Sequence, residues 1–143
     1  MFAPTQDDVR RFFVDARRKR HERSPLTPLE TIAADWIEVH PEYAADLAGA
    51  EAAQAAVYPA DAGGENPFLH LSMHLSISEQ ISIDQPCGIR GAFDSLVGRL
   101  GSAHAAQHEV MECLGTMLWE SQQSGLPLDG AAYVDCVRRR ATR

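Results

Sequence analysis

The sequence predicts an all-α protein, a compact single-domain bundle of five to seven helices over residues 1–143. Apolar residues recur at intervals of three and four along most of the chain, and no period-two alternation persists. Helix start signals stand at Thr5, Thr27, Asn66, Ser102 and Asp129, and stop signals at Gly101 and Gly125. The breaks between the periodic segments are short.

The elements follow in order. Thr5-Gln6-Asp7-Asp8 reads as a capping box, opening a helix from about Gln6 to Glu22 with Val9, Phe12, Phe13 and Ala16 on one side. Ser24-Pro25-Leu26 breaks it. Thr27-Pro28-Leu29-Glu30 is a second start, with Pro28 at the first helical position and Glu30 two residues further on. Pro41 stops or restarts this helix, because its ring disfavours α geometry at His40. A short further helix is expected between Pro41 and Ala48. Residues 57–65, with Pro59 and Gly63-Gly64, read as an internal loop. Asn66-Pro67 caps a helix reaching Ile81 or Ile83, and Asp84-Gln85-Pro86-Cys87-Gly88 ends it. Ile89–Leu100, Ala103–Ser124 and a last helix after Asp129 complete the set.

Composition narrows the classes. A chain of 143 residues buries about two thirds of its unfolded surface without staples. Its hydrophobic (45%) and charged (23%) fractions are near the globular average, which excludes disorder. The net charge of −7 argues against a nucleic-acid partner. The basic runs Arg17-Arg18-Lys19-Arg20 and Arg138-Arg139-Arg140 suit helix C-termini, and a phosphate-binding patch is their sharper reading. Cys87, Cys113 and Cys136 are odd in number and lack a C-x-x-C pair, so no disulfide framework is expected. Cys113 and Cys136 read as small core residues. No run reaches 18 apolar residues and no leader pattern opens the chain, so no membrane is expected and the cytoplasm is the expected location.

Two segments carry pairs of histidines. On the helix after Asn66, His70 and His74 lie about 40° apart in azimuth and about 6 Å apart along the axis. They fall in one line with Ile77 and Ile81, flanked by Leu71 and Leu75 on one side and by Leu69 and Met73 on the other. Ser72, Ser76 and Glu79 lie opposite. Two imidazoles on an apolar face need their nitrogens satisfied, at a cost of about 1–3 kcal/mol each otherwise. One metal ion reached by both rings does this. On the long helix, His104, His108 and Glu112 are spaced four and four. Val110, Leu114, Met117 and Leu118 mark its core side and place His108 and Glu112 toward an edge. Together His70, His74, His104, His108 and Glu112 are the candidate ligands of a transition metal, zinc or iron, held between two helices. The alternative is a non-enzymatic interaction or structural domain in which His and Glu satisfy one another in a buried network. H-E-x-x-H, a G-x-S-x-G elbow, a Walker loop and G-x-G-x-x-G are all absent, so no catalytic residues are assigned and enzymatic activity stays open. Glu79, Gln80 and Asp84 read as polar residues at a helix end or as groups orienting a ligand histidine, and Arg90 is placed to pair with Asp84. The alanine-rich stretch Ala50–Ala56 suits close packing against a protein partner or a second copy.

Longer strings point to a family. They are Asn66-Pro-Phe-Leu-His-Leu-Ser-Met-His-Leu75, Glu79-Gln80 with Asp84-Gln85-Pro86-x-Gly88-Ile89-Arg90, His104-x-x-Gln107-His108-x-x-Met111-Glu112-Cys113-Leu114-Gly115, and Asp129-Gly130-x-x-Tyr133. With them the sequence resembles a family of small proteobacterial proteins known as domain of unknown function 1841. The first half resembles it more loosely, through His40-Pro41-Glu42-Tyr43. Thr116 departs from the pattern, where an acidic residue is expected. The resemblance implies a cytoplasmic helical protein and carries across neither an activity nor a catalytic residue.

Overall fold

The structure is a computed structural model and describes residues 5–56 and 66–142; the predicted loop at 57–65 lies outside the described residues. All regular elements among the described residues are helical. They are α1 (Gln6–Glu22), α2 (Pro28–Glu38), a single 3-10 turn (Pro41–Tyr43), α3 (Ala50–Ala55), α4 (Pro67–Ile83), α5 (Ile89–Leu100), α6 (Ala103–Ser124) and α7 (Gly130–Ala141). The chain gathers into two compact units, Met1–Leu75 and Ser76–Arg143, and α4 runs through the division.

In the first unit, α1 and α2 both open on capping boxes. The Thr5 hydroxyl accepts the Asp8 N–H at 3.1 Å, and the Asp8 carboxylate accepts the Thr5 N–H at 3.0 Å. Thr27 and Glu30 repeat the exchange at 3.2 and 2.9 Å. Each box satisfies two backbone donors that the first helical turn leaves open. α1 packs on α2 and α3. Phe13, Ala16, Ala33, Ile37, Tyr43, Leu47, Phe68 and Leu71 form the core, with Phe12, Trp36 and Leu75 against it. Arg10 is buried in this unit; its guanidinium donates to the Ala53 and Ala56 carbonyls at 2.8 and 2.7 Å and lies over the Phe68 ring. It thereby satisfies carbonyls at the open end of α3. Between Pro41 and Ala48 the structure forms one 3-10 turn and further turns instead of the expected helix. Without an N–H, Pro41 cannot extend α2, and His40 takes a non-helical φ of −126° and ψ of 63°.

In the second unit, α5, α6 and α7 pack on one another. Their buried residues include Ile89, Phe93, Leu96, Val110, Leu114, Tyr133 and Val137. Leu118, placed on the core side by its spacing, is 40% exposed. The expectation of unpaired cysteines is overturned: Cys113 of α6 and Cys136 of α7 form a disulfide with Cα atoms 5.8 Å apart, and Cys87 is the free, exposed thiol. Two residues 23 positions apart come together because their helices pack, which spacing in the sequence does not reveal.

The break between α4 and α5 is built on Asp84, whose carboxylate accepts the N–H groups of Gly88 and Arg90 at 3.2 and 3.0 Å. The Arg90 guanidinium turns instead to the Ile81 and Ser82 carbonyls at the end of α4. The expected pairing of Asp84 with Arg90 is thus a backbone cap. Gly88 has φ 96°, in the left-handed region that favours glycine; the Arg138 guanidinium nitrogen 2.7 Å from where a Cβ would stand ends a flexible side chain that could give way. The Gln85–Pro86 bond is cis. The Tyr133 hydroxyl donates to the Gln80 side-chain oxygen at 2.6 Å, and burial pushes this phenol well above its ordinary pKa.

Candidate metal centre

The site begins with α4. The Asn66 side-chain oxygen accepts the N–H groups of Phe68 and Leu69 at 3.0 and 3.2 Å and starts the helix one turn before His70. His74 is fully buried and His70 partly so. The buried line is rotated from the predicted one. It runs through Leu71, His74 and Ile77, all at 0% exposure, whereas Leu69, expected to flank the histidines, is 60% exposed. His70 therefore stands at the edge of the apolar face, one turn from a histidine at its centre.

A third imidazole joins them from outside the helix. His40, 3% exposed, sits between the end of α2 and the 3-10 turn. Its Nδ1 lies 2.8 Å from the Trp36 carbonyl. A carbonyl only accepts, so Nδ1 carries the proton, and on the neutral ring Nε2 presents a lone pair. The Trp36 carbonyl is one of those that the end of α2 leaves open. One hydrogen bond therefore caps the helix and fixes the tautomer.

The three rings converge through the same atom. His40 Nε2 and His74 Nε2 each lie 3.1 Å from His70 Nε2. The ring centroids are 4.7 to 4.9 Å apart in all three pairings. Trp36 stacks on His74 at 3.9 Å with the planes 12° apart, and Tyr43 stacks on His40 at 5.2 Å with the planes 2° apart. Two aromatic plates thus hold two of the three rings in orientation, and all five residues belong to the first unit.

This arrangement suits a cation better than protons. An imidazole Nε2 offers one proton or one lone pair along a single direction. At His70 that one direction must serve two neighbours, so a proton there is shared in a bent, weakened bond. A cation between the rings accepts all three lone pairs at once. The separations agree: two nitrogens about 2.0–2.1 Å from one ion are 3.1 Å apart when they subtend about 100° at it. The His40–Trp36 bond is also the support that metal-ligating histidines characteristically have on their other ring nitrogen.

The second histidine pair is placed differently. In the second unit the His104 and His108 rings meet edge to face with centroids 4.4 Å apart. His104 is half-buried and His108 is exposed. Glu112 is exposed as well, and Arg140 binds its carboxylate together with that of Glu109. The predicted carboxylate ligand is thus engaged by a guanidinium of α7, which holds it as an ion pair. The ring nitrogens of His40 and His74 are close enough to hold one ion, and so are those of His104 and His108.

His40 is the residue that spacing along one helix misses. Its signal was available in the sequence: a histidine four residues after Trp36, at a helix end forced by Pro41, lies within reach of an open carbonyl.

A domain-family profile described as Domain of unknown function (DUF1841) matches residues 5–139. The chain belongs to that family. Neither a curated protein nor a solved structure matches it. The DUF1841 match spans both units and includes His40, His70, His74, His104 and His108. Among its described residues, no helix of this DUF1841 protein is long and apolar enough to cross a membrane.

Proposed function

We propose that this DUF1841 protein binds one transition-metal ion, zinc or iron, in its first unit through the Nε2 atoms of His40, His70 and His74. The observation that carries the reading is that the Nε2 atoms of His40 and His74 each lie 3.1 Å from His70 Nε2, with His40 Nε2 fixed as a lone-pair donor by the Trp36 carbonyl. Three neutral imidazoles are a borderline-soft donor set that suits either metal. An ion so held keeps at least one further coordination position. A zinc ion held by these three rings would supply Lewis acidity and a more acidic water. The chain's own part is to orient the rings, through Trp36 and Tyr43, and to keep bulk water from His40 and His74.

Elemental analysis of untagged protein grown with added zinc or iron tests the reading. One equivalent per chain is expected, and none after His74→Ala or His40→Ala. Markedly substoichiometric metal in the parent protein sinks it. The second reading is a structural imidazole network, favoured by the fact that 3.1 Å is also a hydrogen-bonding distance. It expects metal-free protein whose His74→Ala variant loses stability alone. We further propose that the protein acts without nucleic acid or membrane, in the cytoplasm, with a protein partner or as a homo-oligomer.

A further inference from the structure

The basic run of α1 resolves into committed and uncommitted charges. Arg18 pairs with Asp15 and Glu22, Lys19 with Glu30, and Arg20 with Asp35 and Glu38. No ion pair among the described residues engages Arg17, which is half-buried and one turn from His21. Both side chains line a cavity of about 180 Å³ in the first unit. Arg20 and Glu38 complete its polar rim, and Ala34, Ile37, Pro41 and Ala44 supply an apolar floor.

We infer that this cavity binds a small aliphatic carboxylate, its headgroup on Arg17 and its hydrocarbon body on the Ile37–Ala44 floor. A planar guanidinium takes a carboxylate through two parallel hydrogen bonds. The Arg20 guanidinium is already neutralised by two acids, so the rim offers one full positive charge and an imidazole. That balance suits a monoanion. A phosphate dianion would need a second uncommitted cation and would meet the Glu38 carboxylate. The apolar floor also distinguishes an acyl body from a bare anion. His40 also lines the cavity, but the inference does not depend on an ion being bound to that residue.

The test is titration of the whole protein with hexanoate, followed by calorimetry and by amide chemical shifts. Saturable binding is expected, with shifts centred on Arg17, Ile37 and Ala44. Arg17→Gln should weaken it at least tenfold while its circular dichroism and melting temperature match the parent, since no ion pair is lost. His21→Gln should weaken it severalfold. Inorganic phosphate and hexylamine should compete poorly. The inference is overturned by the absence of saturable hexanoate binding or by shifts centred elsewhere. Undiminished affinity in a folded Arg17→Gln variant also overturns it, as does phosphate competing as well as hexanoate.

Discussion

The chain carries the same four-residue histidine spacing twice, on α4 and on α6, and the two pairs end up in unlike surroundings. His74 is fully buried against the Trp36 ring, and its neighbour His70 meets a third imidazole contributed by a different segment. His108 lies exposed, with His104 half-buried beside it, and the carboxylate one turn further on is held by Arg140. Spacing places two rings side by side on a helix. Only a separate element with a fixed ring direction turns them into a converging set. On α4 that element is the end of α2, where Pro41 stops the helix and leaves the Trp36 carbonyl for His40.

The comparison can be broken at several places. The largest effect is expected from His70→Ala, which removes the ring shared by both close contacts and should take metal content from one equivalent to none after chelator dialysis. Next is the disulfide, which closes a 23-residue separation in the unit that carries the other pair. Cys113→Ser should lower the unfolding free energy by about 3 kcal/mol in denaturant melts under oxidising conditions and leave metal content unchanged. A smaller effect is expected from the double substitution His104→Ala with His108→Ala, which should retain the full equivalent. Metal loss in that variant would assign ligands to α6 as well. The smallest effect concerns Glu30, whose carboxyl is held below the ordinary glutamate range first by the Lys19 ammonium and then by backbone N–H donation. A lowered folded pKa contributes stability above the unfolded value that is lost as pH falls through the folded one. The parent should therefore outlast Glu30→Gln in thermal melts at neutral pH, and the two should converge as the pH falls through the lowered folded-state pKa of Glu30.

Much of the fold is legible from punctuation. Thr5, Thr27, Asn66, Ser102 and Asp129 each cap the helix that follows, and Gly101 and Gly125 end theirs in the left-handed region. These are local effects, decided within one turn. The site is legible only in half. His70 and His74 share a helix, so their neighbourhood follows from its geometry. His40 reaches them from 30 residues away, and the Cys113–Cys136 bond likewise depends on helix packing. The partner of Glu112 is hidden for the same reason: its spacing from His108 is visible, but the guanidinium that takes its carboxylate comes from a later helix. The rotation of the buried line on α4 is subtler. Leu69 and Leu71 are equally apolar, and only the packed neighbours decide which of them faces inward.

The stacking of Trp36 on His74 has an optical consequence. The protein has two tryptophans, and Trp119 is 60% exposed while Trp36 is half-buried with its indole flat against an imidazole of the cluster. Emission from Trp119 is that of a hydrated indole, at the red end of the range, whereas Trp36 emits further to the blue. A paramagnetic ion such as cobalt or copper held by the His74 ring would quench the indole stacked on that ring. The blue side of the fluorescence spectrum is therefore a built-in gauge of what occupies the space between the three rings, readable without any added label.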